Sequence, residues 1–248
     1  MTIQSYYDKA PIVEAIIDLR ISTDVEQDSL AALNSLAKIL ESEFALQAVI
    51  HQQNFSIHVE PTATRHESSH KLEGYRFFSS SKLNLMTVGL TGFTYSRVRP
   101  YNGWENFRTE ARQQWDRYRD ILKPAKITRT AVRYINRIDV PISDRVEDYL
   151  RIFAQLPPDF PQGNPDGSFL QLQIPQRDIE SMLVVNQAWH IPETAGAREV
   201  ILDFDLVCQL PYDIQQEDEV WVQLEKMSER KNHVFEACIT QKTREAIL

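Results

Sequence analysis

The chain has 248 residues, 42% hydrophobic and 25% charged, an ordinary globular composition with length for one large domain or two small ones. No run of 18 apolar residues occurs and the start of the chain is polar, so neither a membrane span nor a signal peptide is expected. A net charge of −8 argues against bulk attraction to nucleic acid or anionic lipid. Two cysteines, Cys208 and Cys238, each in an apolar stretch, read as buried free thiols of a cytoplasmic protein rather than as a disulfide.

In chain order, residues 11–21 read as a strand. Successive strand side chains face opposite ways, so Glu14, Ile16, Asp18 and Arg20 share one face, and Val13, Ala15, Ile17, Leu19 and Ile21 the other. Leu30, Leu33, Leu36, Ile39 and Leu40 recur at helical spacing and predict a helix over 28–44. A strand over 48–60 and a polar loop over 61–70 follow, then antiparallel strands over 75–81, 82–87 and 92–99. The clearest helix carries Trp104, Phe107, Ala111, Trp115, Tyr118 and Leu122 at three- and four-residue steps and ends at Pro124.

Residues 129–141 have the β-branched and aromatic content of a strand. One face would hold Ala131, Arg133, Ile135, Arg137 and Asp139, the other Val132, Tyr134, Asn136, Ile138 and Val140. A short helix is predicted over 146–155. The segment 157–167, rich in Pro, Gly, Asn and Asp, is a candidate boundary or exposed loop. Strands over 169–174, 181–189 and 199–210 precede a helix over 216–231 with Val220, Trp221, Leu224 and Met227. Lys231-Asn232 reads as its stop, because Asn tolerates left-handed geometry, and 234–240 as a last strand.

These elements imply an α+β fold, a mostly antiparallel curved sheet with helices on one face. The order strands–helix–strand occurs twice, each helix entered from a Pro-Tyr pair, Pro100-Tyr101 and Pro211-Tyr212. Duplication or chance would produce this. Under duplication, a single module over 1–248 has two pseudo-repeated halves meeting near 157–167.

Residues 97–140 hold eleven Lys and Arg against five Asp and Glu, a local +6 that leaves −14 for the remainder. Such a segment either contacts an anion or pairs with acids elsewhere in the chain. Glu14, Asp18, Arg20, Arg97, Arg99, Arg133, Arg137 and Asp139 are the candidate ligand-binding residues, because arginine suits bidentate contact with carboxylate or phosphate. The competing reading is a salt-bridge network that fixes strand register. In that case removing Arg137 from a buried pair would cost roughly 3–5 kcal/mol.

The seven glycines build no phosphate loop and no dinucleotide fingerprint, and no nucleophile elbow occurs. His66-Glu67-Ser68-Ser69-His70 fits the zinc-protease pattern, which requires a helix held against the core; the Thr, Ser and Lys around it favour a solvated loop and a chance match. No metal or other cofactor is expected.

Ala10-Pro-Ile-Val-Glu-Ala-Ile-Ile-Asp-Leu-Arg, the spacing Trp104, Phe107, Trp115, Tyr118, the run Val132-Arg-Tyr-Ile-Asn-Arg-Ile-Asp-Val-Pro, and Lys231-Asn-His-Val-Phe-Glu together resemble a sporadically distributed family of uncharacterised prokaryotic proteins of about 250 residues. The resemblance spans nearly the whole chain and carries over no activity or residue role. Its patchy distribution is similar to that of defence and toxin–antitoxin genes. The leading expectation is therefore an interaction or regulatory protein whose partner is another protein, such as a toxin or defence effector. The alternative is an enzyme or binding protein for a phosphorylated or carboxylated small molecule in an Arg/acid-lined cleft; nucleic acid and membrane are not expected partners.

Overall fold

The structure, a computed structural model, describes residues 7, 9–23, 26–60, 63–161, 165–192 and 196–248, with the backbone alone over 26–28 and 52–70. The chain opens with β1 (Ile12–Ser22), α1 (Glu26–Leu40), an antiparallel meander of β2 (Phe44–Glu60), β3 (Ala63–Ser79), β4 (Asn84–Gly89) and β5 (Gly92–Val98), and α2 (Trp104–Leu122). It continues with β6 (Lys126–Pro141), a second meander of β7 (Gly167–Gln176), β8 (Ser181–His190) and β9 (Ala197–Cys208), the short β10 (Tyr212–Asp213), α3 (Glu217–Cys238) and α4 (Gln241–Ile247). The strands form one open antiparallel sheet in the order β2-β3-β4-β5-β1-β6-β9-β8-β7, with β10 also on β6. Among the described residues no helix is long and apolar enough to cross a membrane.

Strand alternation decides which side is covered. Ala15, Ile17 and Leu19 of β1, Phe93 and Tyr95 of β5, Val132 and Tyr134 of β6, and Leu202, Phe204 and Leu206 of β9 are buried on one face. The helices lie against that face: Phe93 packs on Trp115 and Tyr118, Tyr95 stacks on Phe107, and Phe204 meets Phe235. The buried stripe of α2 is Trp104, Phe107, Ala111, Trp115, Tyr118 and Leu122, as its spacing predicts. The helix ends with Lys123 in the left-handed region, its N–H donating to the Arg119 carbonyl, just before Pro124. Gly103 at its start has φ +95°, a conformation that a Cβ would strain.

The topology repeats. In each run a first strand (β1, β6) is followed by a connection, a meander whose last strand (β5, β9) returns to pair with the first, and a long helix (α2, α3). The antiparallel β1–β6 pair joins the runs at the centre of the sheet. Along the chain they meet at 123–125, whereas 157–167 lies inside the second run between β6 and β7. The repeated unit is strand–meander–helix, not strands–helix–strand.

The predicted last strand does not form. α3 continues to Cys238, because Val220, Leu224, Met227, Lys231, Phe235 and Cys238 extend one buried stripe, and this packing overrides the stop signal of Asn232. Ile239 then makes one antiparallel bridge to Leu150. The predicted helix over 146–155 shrinks to a 3-10 turn at Val146–Asp148 before that bridge. The predicted loop over 61–70 is strand from Ala63 onward, paired with β2. Its polar sequence carries no apolar alternation, so the long hairpin left no periodic signal. The zinc-protease pattern at 66–70 thus lies on a strand and not on the helix that it requires, and its side chains lie outside the described residues. Cys208 and Cys238 are both free and buried.

Candidate functional site

The face opposite the helices carries six of the eight candidate residues: Glu14, Asp18 and Arg20 from β1, and Arg133, Arg137 and Asp139 from β6. They are largely tied to one another and to acids of β9. Asp18 accepts from Arg129 at 2.5 Å, from Arg20 at 2.9 Å and from the Thr94 hydroxyl at 2.8 Å. Arg133 forks onto Asp203 at 2.8 and 2.7 Å, with Asn186 donating to the same carboxylate at 3.0 Å. Arg137 bonds Asp139 at 3.1 Å and Glu199 at 3.3 Å. Asp205, directly opposite Arg133 in register, has one buried oxygen without a partner among the described residues; burial raises its carboxyl pKa, against the pull of Arg129 and Arg133.

The other two candidates lie elsewhere. Arg97 faces the helices, with Asn84 at 3.0 Å and Glu110 at 3.7 Å. Arg99 donates to the Pro11 carbonyl at 3.4 Å beyond the end of β5. The positive charge of 97–140 is taken up within the molecule, much of it by acids outside that segment: Arg108 by Glu225, Arg112 by Asp218, Arg117 by Glu43, Arg119 by Glu217, Lys126 by Asp213, Arg129 by Asp18 and Arg133 by Asp203. A trough of about 380 Å³ crosses the open face between β1 and β3, and its charged walls, Glu14, Arg20, Glu73 and Arg76, balance in sign.

The open-face pairs differ in energetic weight. The Asp203 side chain is 7% exposed and that of Arg133 42%, so Arg133→Ala strands a buried carboxylate. A loss of about 2–3 kcal/mol is expected in urea unfolding, below the roughly 3–5 kcal/mol of a fully buried pair because one partner is wet. Arg137 and Asp139 are both well exposed, and Arg137→Ala is expected to cost under about 1 kcal/mol. Equal losses would contradict this assignment. The sequence-based expectation of a large cost at Arg137 belongs instead to Arg133.

A second site lies among the helices. α3 sets Lys231 on its buried stripe, 6% exposed, with Nζ 3.8 Å from the centroid of the Tyr134 ring. Among the described residues it has no carboxylate partner and no hydrogen bond. Loss of water alone lowers its amine from 10.5 to about 7. Beside it runs a hydroxyl chain, Tyr101 to Tyr134 at 3.0 Å and Tyr134 to Ser228, and burial pushes the Tyr134 phenol up to about 12. Lys231 lines a cavity of about 150 Å³. The walls come from both runs: Pro11 and Ile12 at the start of β1, Tyr101 and Trp104 at the entry to α2, Asn136 of β6, and Ser228 and Phe235 of α3. Asn136 is anchored by donating to the Leu202 carbonyl at 3.0 Å. The lining carboxylate, Glu236, is held by the Tyr7 hydroxyl at 2.5 Å and Arg244 at 2.9 Å.

Sequence reasoning passed over Lys231 because it read Lys231-Asn232 as a helix end. The available signal was the stripe itself: four residues beyond Met227 falls on Lys231, and four beyond that on Phe235. A scan against protein-family models and a search of curated proteins returned no match to this chain.

Proposed function

We propose that this protein binds a small carboxylate in the cavity at Lys231. The observation that carries the reading is a buried amine facing a cavity, with no acid paired to it among the described residues. Stranding a charge in the interior is costly, and such groups cluster at functional sites. A ligand carboxylate would supply the missing counter-charge, with the Ser228 hydroxyl and the Asn232 amide in the cavity wall to share its oxygens. The aromatic and aliphatic walls suit an apolar body, and about 150 Å³ is room for roughly one six-membered ring. Among the described residues no arginine lines the cavity, so a monoanion fits its charge better than a phosphate dianion. This moves the anion-binding alternative from the open-face arginines, whose charges are already paired, to an unpaired lysine.

Calorimetry with benzoate tests it. Benzoate is expected to bind the wild type, while benzamide, inorganic phosphate and the Lys231→Met variant with benzoate give no binding. A bound carboxylate favours the ammonium form, so affinity should fall up to tenfold per pH unit above about 7. Equal binding of benzamide, undiminished binding to Lys231→Met, or no binding of benzoate, butyrate or phenylacetate to the wild type would overturn the reading. A protein partner, a toxin or defence effector included, is the second proposal, and it rests on the family resemblance alone.

A further inference from the structure

β7 closes one end of the sheet, bonded among the described residues to β8 on one side only. Its ten residues, Gly-Ser-Phe-Leu-Gln-Leu-Gln-Ile-Pro-Gln, carry no charge in a chain that is 25% charged. Its register with β8 is unbroken from Gly167 to Gln176. Folded proteins usually blunt such an edge with lysine, proline, a bulge or a covering element. The opposite edge, β2, is interrupted by register shifts at Leu46/Ala48 and Ile50/His51. Among the described residues β7 carries no lysine and no bulge, its one proline, Pro175, stands next to its end, and α3 packs over β6 and β9, touching β7 through Arg230 at Gln176. Phe169 is 66% exposed, Leu172 37% and Ile174 40%.

We propose that β7 is a self-association edge, at which two copies of this chain pair antiparallel about Leu172 and join their sheets into one. Self-pairing about a two-fold axis places residues of the same class opposite each other, because the same strand runs both ways across the axis. Leu170-Gln171-Leu172-Gln173-Ile174 has that symmetry. Centred on Leu172, it sets Leu170 opposite Ile174 and Leu172 opposite its own copy on the helix side, and Gln171 opposite Gln173 on the other side. Each subunit has a net charge of −8, and this uncharged stretch meets itself without like charges in contact. A two-fold pair consumes both β7 edges and stops at two copies.

Sedimentation velocity on the wild type should show a dimer. Leu172→Lys, which sets two ammonium groups face to face on the axis, should raise the dissociation constant tenfold or more. Its circular dichroism should match the wild type, because Leu172 sits at an open edge. Opposed antiparallel residues have Cα atoms about 4.5–5.5 Å apart, within disulfide reach, so Leu172→Cys should cross-link to its copy under mild oxidation, while Ser168→Cys, off the axis, should not. A wild-type monomer, or a dimer that resists Leu172→Lys and leaves Leu172→Cys uncross-linked, would overturn the proposal. Capture of a different protein's strand by a monomeric wild type would overturn it equally.

Discussion

Lys231→Met is expected to stabilise the protein by about 3 kcal/mol at pH 6. The amine titrates near 10.5 when solvated and near 7 in the fold. Below pH 7 both states are protonated, and the fold carries the full penalty of a charge without water. Between pH 7 and 10.5 the unfolded chain binds more protons, so this group makes stability rise with pH as the folded amine goes neutral. A shift of that size corresponds to about 5 kcal/mol, and fitting a thioether into a site shaped for an amine takes back about 1–2. The gain of the variant should therefore shrink as pH rises, falling to near zero by pH 9. Paired urea titrations of wild type and variant at pH 6 and 9 cancel the contributions of other groups. A destabilised variant, or a gain independent of pH, would show that Lys231 is not held without water.

The largest loss is expected at Trp115→Ala, about 4 kcal/mol by urea unfolding followed with far-UV circular dichroism. Trp115 is fully buried, its ring centroid 5.8 Å from Phe93 and 5.5 Å from Tyr118. Its Nε1–H donates at 3.1 Å to Glu217, at the start of α3, and Glu217 also pairs with Arg119. Truncation would open a cavity between α2 and the sheet and remove a contact between the helices of the two runs. A loss below about 1 kcal/mol would mean that α2 does not anchor the core.

Legibility in the sequence followed periodicity. α2 and the alternating faces of β1 and β6 were readable because each buries a regular apolar set against a partner. The outer part of β3 was not, since a polar hairpin strand has no apolar period to detect. The end of α3 was misplaced because a local signal at Asn232 competed with a stripe whose reward is tertiary packing. That one boundary also hid the cavity: ending the helix at Lys231 turned a core position into a cap. On the open face, the charged residues of β1 and β6 were legible as a set. Their partners Asp203 and Glu199 were not, because β9 reaches β6 only through a pairing some seventy residues away in the chain.

The most direct measurement is an NMR titration of the Lys231 side chain, with lysine labelled at Cε, in the wild type with and without benzoate. The account predicts a midpoint near 7 in the free protein and a rise toward 10 with benzoate bound. A midpoint near 10.5 in the free protein, or one that benzoate leaves unmoved, would contradict it.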